Sequence, residues 1–426
     1  MIANRAFPAV TLTLLSSLAA CSSTSGNVGQ RAERVGAERS AVIKGKPSDT
    51  SQDSVVLLVH YDPENASFGQ CTGTLLAPRL VLTARHCVGD TDAYAACKAD
   101  GTPVAAGVIR KNHAAKTMYV FTGKDRPDFT GADHTEPAGV GLKILDDGGK
   151  NLCNHDIALL VLKEPIKDVP IASIRLDEDV AVGELITAVG WGVTDKTPQP
   201  DQRQQRTNVE IISVGPEKSL GSVPPNEFQV GESICSGDSG GPAFAQKTKA
   251  VVGVVSRGGN AQAGGENDDP AAPCIDGRNL YTKISPFKEL ILQGYALAEA
   301  EPWLEGGPDP RKSKAKAACT SGDECRSGLC LADPDAESAK TCAEDCSTNG
   351  TCSVEGEVCT EESGAMVCRT APPPVLPEAG AEAPPATVTK TTTSCSSSPS
   401  SSVPGTIAGS IALGTLALAC VRRKRR

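Results

Sequence analysis

The sequence predicts an all-β fold for the central part of the chain, either a β-sandwich or a pair of β-barrels. Short runs of branched and aliphatic residues recur there, and Gly, Pro and Asp separate them. Only Ser285–Ala298 has helical spacing, with Ser285 as N-cap and Pro286 in the first turn. The predicted strands are Ser54–Val59, Gly73–Leu76, Leu80–Thr83, Thr117–Phe121, Asp156–Leu162, Leu185–Gly190, Thr207–Val214, Ala250–Val255 and Asn279–Ile284.

Composition excludes several classes of function. The chain has 426 residues, a length typical of about three domains. Its net charge of −9 argues against a nucleic-acid-binding protein, which needs a concentrated basic face. With only five histidines present, we expect neither a metal site nor a cofactor. Seventeen cysteines indicate an oxidising compartment.

The N-terminus resembles an export signal. In residues 1–20, Arg5 precedes an apolar run that ends in small residues. The sequence Leu18-Ala19-Ala20-Cys21 also resembles the bacterial lipobox, whose cysteine carries a lipid. Cys21 is therefore a candidate lipidation site. The alternative is an ordinary signal peptide with a chance cysteine.

The C-terminus predicts a membrane anchor. Residues 405–421 are apolar and would span roughly 25 Å as a helix, slightly less than a hydrocarbon core of about 30 Å. The basic residues 422–426 would stay cytoplasmic. Together with Cys395 in a Ser-rich stretch, this tail resembles myxobacterial C-terminal sorting signals. The resemblance implies an exported protein held at the cell surface.

Composition divides the chain between these ends into five segments. Eight cysteines in the fourth of them predict four disulfides, whose pairing the sequence leaves open. The segments are a pro-segment or tether (21–41), the β-rich domain (42–298), a charged linker (299–318), the Cys-rich module (319–368) and a Pro/Ser/Thr-rich stalk (369–404).

One glycine-rich turn has the residues that a nucleophilic serine needs. Gly237-Asp238-Ser239-Gly240-Gly241 would expose a hydroxyl on a sharp turn, with backbone N–H groups near a developing oxyanion. By itself such a turn is usually only a turn. His86, next to Cys87, and Asp156, at the start of an apolar strand, would each usually be structural if found alone, but together with Ser239 they are candidate catalytic residues.

The order His86, Asp156, Ser239 resembles the trypsin/chymotrypsin family of serine endopeptidases, as does Gly190-Trp191-Gly192. The resemblance covers residues 42–298 and implies two six-stranded antiparallel β-barrels with the active site between them. It implies Ser239 as nucleophile, His86 as general base and then acid, and Asp156 as the group that orients His86. The N–H groups of Gly237 and Ser239 would form the oxyanion hole.

The same resemblance implies where the substrate and the disulfides lie. Ser256 and Gly258 would pair with the substrate backbone as an added strand. Ser233 would lie at the floor of the specificity pocket, and Gly258 and Asn279 would form its walls. Because these groups are uncharged, we expect cleavage after small to medium uncharged residues. The implied disulfides are Cys71–Cys87, Cys97–Cys153 and Cys235–Cys274.

Two arginines depart from the family pattern. Arg85 replaces the usual small residue before the histidine, and Arg257 replaces the usual tryptophan beside the substrate strand. Arg257 would either reach into the cleft, favouring an acidic substrate side chain, or point to solvent, which we expect.

Activation is the last implied property. Val42-Ile43-Lys44-Gly45 resembles the family's mature N-terminus, whose ammonium group would pair with Asp238 after a cut following Ala41. Arg39-Ser40 offers a competing cut. Two functions follow from the sequence: an active, surface-held endopeptidase acting on proteins or peptides, or an inactive binding protein with a protease fold.

Overall fold

The computed structural model describes residues 42–129, 134–195, 197, 199–219, 221–260, 271–333, 336 and 339–371, together with the backbone of Glu33–Val35. The export signal, Cys21, most of the pro-segment and stalk, the apolar segment 405–421 and the basic tail therefore lie outside the described residues. Within the described residues, no helix is both long enough and apolar enough to cross a membrane.

Antiparallel strands are the main regular elements of the described structure. The first half contains β1 (Glu33–Val35), β2 (Lys46–Pro47), β3 (Val55–Asp62), β4 (Ser67–Ala77), β5 (Leu80–Thr83), β6 (Gly89–Thr91), β7 (Tyr94–Cys97), β8 (Pro103–Ala106), β9 (Ile109–Asn112), β10 (Met118–Phe121), β11 (Gly139–Leu145) and β12 (Ala158–Leu162). The second half contains β13 (Leu185–Gly190), β14 (Gln204–Val214), β15 (Glu227–Val230), β16 (Pro242–Ala245), β17 (Val251–Gly259), β18 (Arg278–Lys283), β19 (Cys330–Ala332), β20 (Lys340–Cys342), β21 (Glu357–Glu362) and β22 (Ala365–Thr370).

The strands form two six-stranded antiparallel barrels. The first closes in the order β10-β11-β12-β5-β4-β3. The second runs β13-β14-β15-β18-β17-β16 and closes because β16 pairs with both β17 and β13. Each barrel has an apolar interior, and the stacked rings of Phe228 and Tyr281 lie in the second. Burial of both interiors supplies most of the driving force for folding.

One α-helix, α1 (Lys288–Leu297), follows the second barrel and packs on the first. A 3₁₀ turn, Ser285–Phe287, precedes it, so Ser285 lies inside this turn and is not the N-cap that the sequence predicts. Gly294 is needed for the packing, because a Cβ there would lie 2.6 Å from a Leu159 methyl group. The other 3₁₀ turns are Thr50–Gln52, Arg85–Cys87, Ala115–Thr117 and Gly322–Glu324.

The segment between His86 and Asp156 adds two hairpin-like pairs to the first barrel. Strands β7 and β8 pair with each other, and β6 pairs with β9. The disulfide Cys97–Cys153 closes this segment over 56 residues. Strand β1 lies between β7 and β17, so the hairpin β7–β8 joins the sheet of the second barrel through β1.

The Cys-rich module contains two pairs of disulfides, each pair beside a two-stranded sheet. Strands β19 and β20 form one sheet and β21 and β22 the other. The bonds are Cys319–Cys330, Cys325–Cys342, Cys346–Cys359 and Cys352–Cys368. These four disulfides stabilise a module that is too small to form a sufficient hydrophobic core.

Candidate active site

His86 lies on the short 3₁₀ turn Arg85–Cys87 that follows β5. The disulfide Cys71–Cys87 ties this turn to β4. Only 2% of the His86 side chain is exposed, so the ring is held by its surroundings. A buried, fixed imidazole is suited to transferring protons along one direction.

Asp156 lies two residues before the start of β12 and is fully buried. Its two carboxylate oxygens lie 3.0 and 2.9 Å from His86 Nδ1, and the His86 backbone N–H donates to Oδ1 at 3.0 Å. The Ser256 hydroxyl donates to Oδ2 at 2.6 Å. Burial alone would raise the pKa of Asp156, but the nearby His86 and these hydrogen bonds outweigh it and lower the pKa below its usual value. The carboxylate is therefore ionised at neutral pH.

Ser239 lies on the turn between Cys235 and β16, where two glycines adopt positive φ: 94° at Gly237 and 77° at Gly240. A Cβ on Gly240 would lie 2.1 Å from Thr83 Oγ1, so this turn packs directly against the end of β5, just before His86. The Thr72 N–H donates to the Ser239 carbonyl at 2.8 Å and fixes the turn from the first barrel. Only glycine readily adopts this backbone conformation where the turn lies so close to β5.

The second ring nitrogen of His86, Nε2, has no hydrogen-bond partner among the described residues, although it is buried. Unpaired buried polar atoms are rare in folded proteins and often belong to reactive groups. Because Nδ1 is held by Asp156, Nε2 is the nitrogen available to a reacting group. Ser239 and Ser256 line a cavity of about 30 Å³.

The residues assigned to the specificity pocket lie around this cavity. Asn279 and Gly258 line it, and Ser233 is buried next to it. The Asn279 amide donates to the Gly231 carbonyl at 3.0 Å and reaches the Ser233 hydroxyl at 3.4 Å. The Asn279 side chain thus lies between the cavity that it lines and Ser233, which does not line it. The disulfide Cys235–Cys274 lies at its rim.

The expectation that the Arg257 side chain points to solvent is wrong. Its guanidinium points neither to solvent nor to a substrate: it is fully buried and makes a bidentate ion pair with Glu227, at 2.9 and 2.6 Å. Arg257 reaches across β18 to Glu227 on β15 because a register shift between Val255 and Arg257 turns its side chain inward. It also donates to the Ser256 hydroxyl at 3.2 Å, next to Asp156.

Glu227 is a site residue that the sequence analysis missed. One of its oxygens accepts the N–H of Asn154 at 3.0 Å, two residues before Asp156. The departure from the family pattern at Arg257 was the sequence signal that could have indicated Glu227, because a buried guanidinium requires an anionic partner. Arg85 is also buried, beneath the histidine turn, and its guanidinium lies 3.6 Å from Asp146.

Val42 and Asp238 lie together in the interior. Both are fully buried, and the Val42 backbone N–H donates to the Asp238 carboxylate. Gly192 and Cys235 donate two further N–H groups, at 3.0 and 2.9 Å. Burial nevertheless raises the pKa of Asp238 well above its usual value, because three neutral donors do not balance a buried negative charge.

The family model described as Trypsin matches residues 42–291 of this sequence. The chain belongs to the trypsin family. A trypsin from Saccharopolyspora erythraea is 26% identical over 259 residues, which cover 59% of this chain and 97% of that protein. CLIP domain-containing serine protease B4 from Anopheles gambiae is 26% identical, over 59% of this chain and 69% of its own length.

A snake venom serine protease from Protobothrops mucrosquamatus, serpentokallikrein-2, is 27% identical over 51% of this chain and 77% of its own length. The matched region is the pair of barrels and the first turn of α1, so this trypsin-family chain has the fold of a serine protease. Its Cys-rich module lies beyond the part that the family model matches.

Proposed function

We propose that this trypsin-family chain is an active serine endopeptidase with His86, Asp156 and Ser239 as its catalytic triad. The observation that carries the proposal is the bidentate contact between the buried Asp156 carboxylate and His86 Nδ1, which leaves Nε2 buried and without a hydrogen-bond partner among the described residues. The alternative, an inactive binding protein, is not favoured, because none of the three side chains is lost.

In the proposed reaction, the Ser239 hydroxyl attacks the substrate carbonyl while His86 Nε2 accepts its proton. Asp156 holds the tautomer with the proton on Nδ1 and stabilises the imidazolium that forms. The backbone N–H groups of Gly237 and Ser239 would bind the oxyanion; losing one such donor costs about 2.7–4 kcal/mol. His86 then protonates the leaving amine, and water hydrolyses the acyl-enzyme by the same steps.

We propose that the substrates are proteins or peptides cleaved after small to medium uncharged residues. Two observations support this: Ser233 provides no carboxylate for a basic side chain, and Asn279 takes up part of the cavity. Gly258 accommodates the Asn279 side chain, since a Cβ at residue 258 would lie 2.1 Å from Asn279 Oδ1.

We propose that the protein is made as a zymogen and cut after Ala41. The raised pKa of Asp238 supports this, because the carboxylate has neutral donors but needs a cation. A cut at Val42 would convert the N–H donor already at Asp238 into an ammonium group. The resulting ion pair would stabilise the turn that bears Gly237 and Ser239.

We further propose that the chain is exported and anchored at the cell surface, with the segment boundaries that the sequence predicts. Seven disulfides in the described part of the chain support export, because such bonds persist in oxidising compartments. A cut at Val42 would separate the protein from any lipid on Cys21 and leave the C-terminal tail as the anchor.

A panel of peptides that differ only at the residue before the scissile bond tests this function. We expect the matured protein to cleave after small to medium uncharged residues and the Ser239→Ala variant to cleave none of these peptides. Ser222→Ala serves as a matched control outside the proposed triad. Fast cleavage after Lys or Arg would refute the proposed specificity, whereas cleavage that survives Ser239→Ala would refute the mechanism.

A further inference from the structure

Strand β1, from the segment before Val42, lies between two strands and pairs with both. Its Arg34 is opposite Gly258 and its Val35 opposite Arg257 on β17. On the other side, Glu33 is opposite Ala95 and Arg34 opposite Tyr94 on β7. Both pairings are antiparallel, so three residues of the chain complete a continuous sheet from the second barrel to the inserted hairpin.

The β17 side of this position is the edge that the family resemblance assigns to the substrate of the proposed peptidase. Ser256 and Gly258 are the residues expected to pair with a substrate backbone, and β1 lies opposite Gly258 and the intervening Arg257. A substrate strand and β1 therefore compete for the same hydrogen-bonding edge. Pairing of this kind depends on backbone groups, so it accepts many sequences in extended conformation.

The β7 side is a second wall with a fixed position. Ala95 and Cys97 are buried, and Cys97 is bonded to Cys153, three residues before Asp156. Asn151 donates its side-chain amide to the Ala106 carbonyl at 2.9 Å and secures β8 behind β7. The disulfide therefore ties β7 to the segment that carries Asp156, so β7 cannot separate from the catalytic residues on its own.

We propose that β7 and β17 form a two-edged slot that binds an extended peptide by backbone hydrogen bonds on both sides, and that Glu33–Val35 is its resident occupant. The inference rests on the proposed function, since it takes β17 as the substrate edge. Substrates of this protein are then extended segments with both backbone edges unpaired, and residues 33–35 block the slot until they leave it.

Connection in one chain keeps the occupant in place. Only residues 36–41 separate β1 from Val42, so the local concentration of the occupant is high while the chain is intact. A cut after Ala41 makes the occupant a separate peptide, which dilution removes. Maturation would therefore open the slot as well as create the N-terminus at Val42.

A synthetic peptide of residues 28–41 tests the slot as an inhibitor of the matured protein. Adjacent residues of a strand direct their N–H groups to opposite neighbours. N-methylation of Arg34 therefore breaks pairing on one side, and N-methylation of Val35 breaks it on the other. We expect each methyl group to weaken competitive inhibition by about tenfold. N-methylation of Arg39, outside β1, is the matched control and should have little effect.

Loss of inhibition from only one of the two inner methyl groups would overturn the two-edged slot. Absence of inhibition by the unmodified peptide, with peptide hydrolysis intact, would overturn the slot and leave the proposed function standing. Absence of all Ser239-dependent hydrolysis would instead remove the proposed function.

Hydrogen exchange in the full Ser239→Ala chain tests the slot without using activity. We expect slow exchange in residues 33–35, and Arg34→Pro should speed exchange there and in Tyr94–Cys97. Arg31→Pro, outside β1, is the matched control. Fast exchange of residues 33–35 in the parent chain, or no effect of Arg34→Pro on Tyr94–Cys97, would contradict the proposal.

Discussion

Asp156 and His86 show how burial and hydrogen bonding determine the state of a single group. Asp156 accepts hydrogen bonds from the His86 backbone, the His86 ring and Ser256. These hydrogen bonds keep the carboxylate ionised although it is fully buried. This anion fixes the proton of His86 on Nδ1 and leaves Nε2 as the acceptor. The geometry around one carboxylate thus determines which nitrogen can act as base.

Asp156→Asn should lower kcat at neutral pH by about 10⁴-fold, because the amide favours the wrong histidine tautomer. The measurement is peptide hydrolysis by matured protein, with melting temperature as the check on folding. Asp177→Asn is the matched control, since that side chain is 65% exposed and pairs with Lys288 at the surface. A fall of less than tenfold for Asp156→Asn would contradict the assigned role.

Glu227→Gln should destabilise the protein by about 3–5 kcal/mol, because it leaves the buried Arg257 guanidinium without its anion. The double variant Glu227→Met/Arg257→Met should regain most of this loss, since it removes both buried charges. The measurement is the midpoint of denaturant-induced unfolding of each variant, compared with the parent protein at the same m-value. A single variant as stable as the parent would show that the pair is not buried as described.

His113 should make the protein lose stability in mild acid. Its ring stacks on His60 with 3.7 Å between centroids, and burial, followed by repulsion from His60, lowers its pKa from 6.5 to about 4. The folded protein therefore binds this proton less readily than the unfolded chain does. Its contribution to stability is complete above about pH 6.5 and is lost as the pH falls towards 4.

His113→Phe preserves a stacked ring but removes the titrating group. The melting temperature of this variant should therefore fall less than that of the parent protein as the pH is lowered from 6.5 to 4. His134→Gln is the control, because 48% of that side chain is exposed. An unchanged pH profile in His113→Phe would contradict the role of this ring.

Among the elements, the inserted segment depends most on its covalent bond. Cys97–Cys153 closes a loop of 56 residues, whereas Cys71–Cys87 closes 16. In the chain-entropy model these loops correspond to about 4 and about 3 kcal/mol, so Cys97→Ser/Cys153→Ser should destabilise more than Cys71→Ser/Cys87→Ser. Thermal unfolding of the two double variants tests the order, and the reverse order would contradict it.

The elements also show what could be predicted from sequence. The two barrels and their three disulfides followed from strand-like runs and from motifs that resemble a known family, whereas the pairing of the eight cysteines in the Cys-rich module did not follow. The direction of Arg257 did not follow, since one irregular step in β17 turns a side chain to the other face. Nor did β1, whose partners lie about 60 and more than 200 residues away in the chain.

At the scale of the whole molecule, the chain combines the trypsin-family barrels with features outside the family match. The Cys-rich module follows a linker whose Glu301 pairs with Lys314 in the linker and with Arg326 in the module. Before the barrels, β1 occupies the edge proposed for substrate. In the proposed function, a cut after Ala41 would therefore both free this edge and supply the cation for Asp238.

Labelling of the matured protein with a fluorophosphonate, followed by mass spectrometry of its peptides, tests the assembled triad most directly. The account predicts a single modified residue, Ser239, with labelling abolished by His86→Ala and unaffected by His134→Gln. Modification of another serine, or equally rapid labelling of Ser239 without His86, would contradict it.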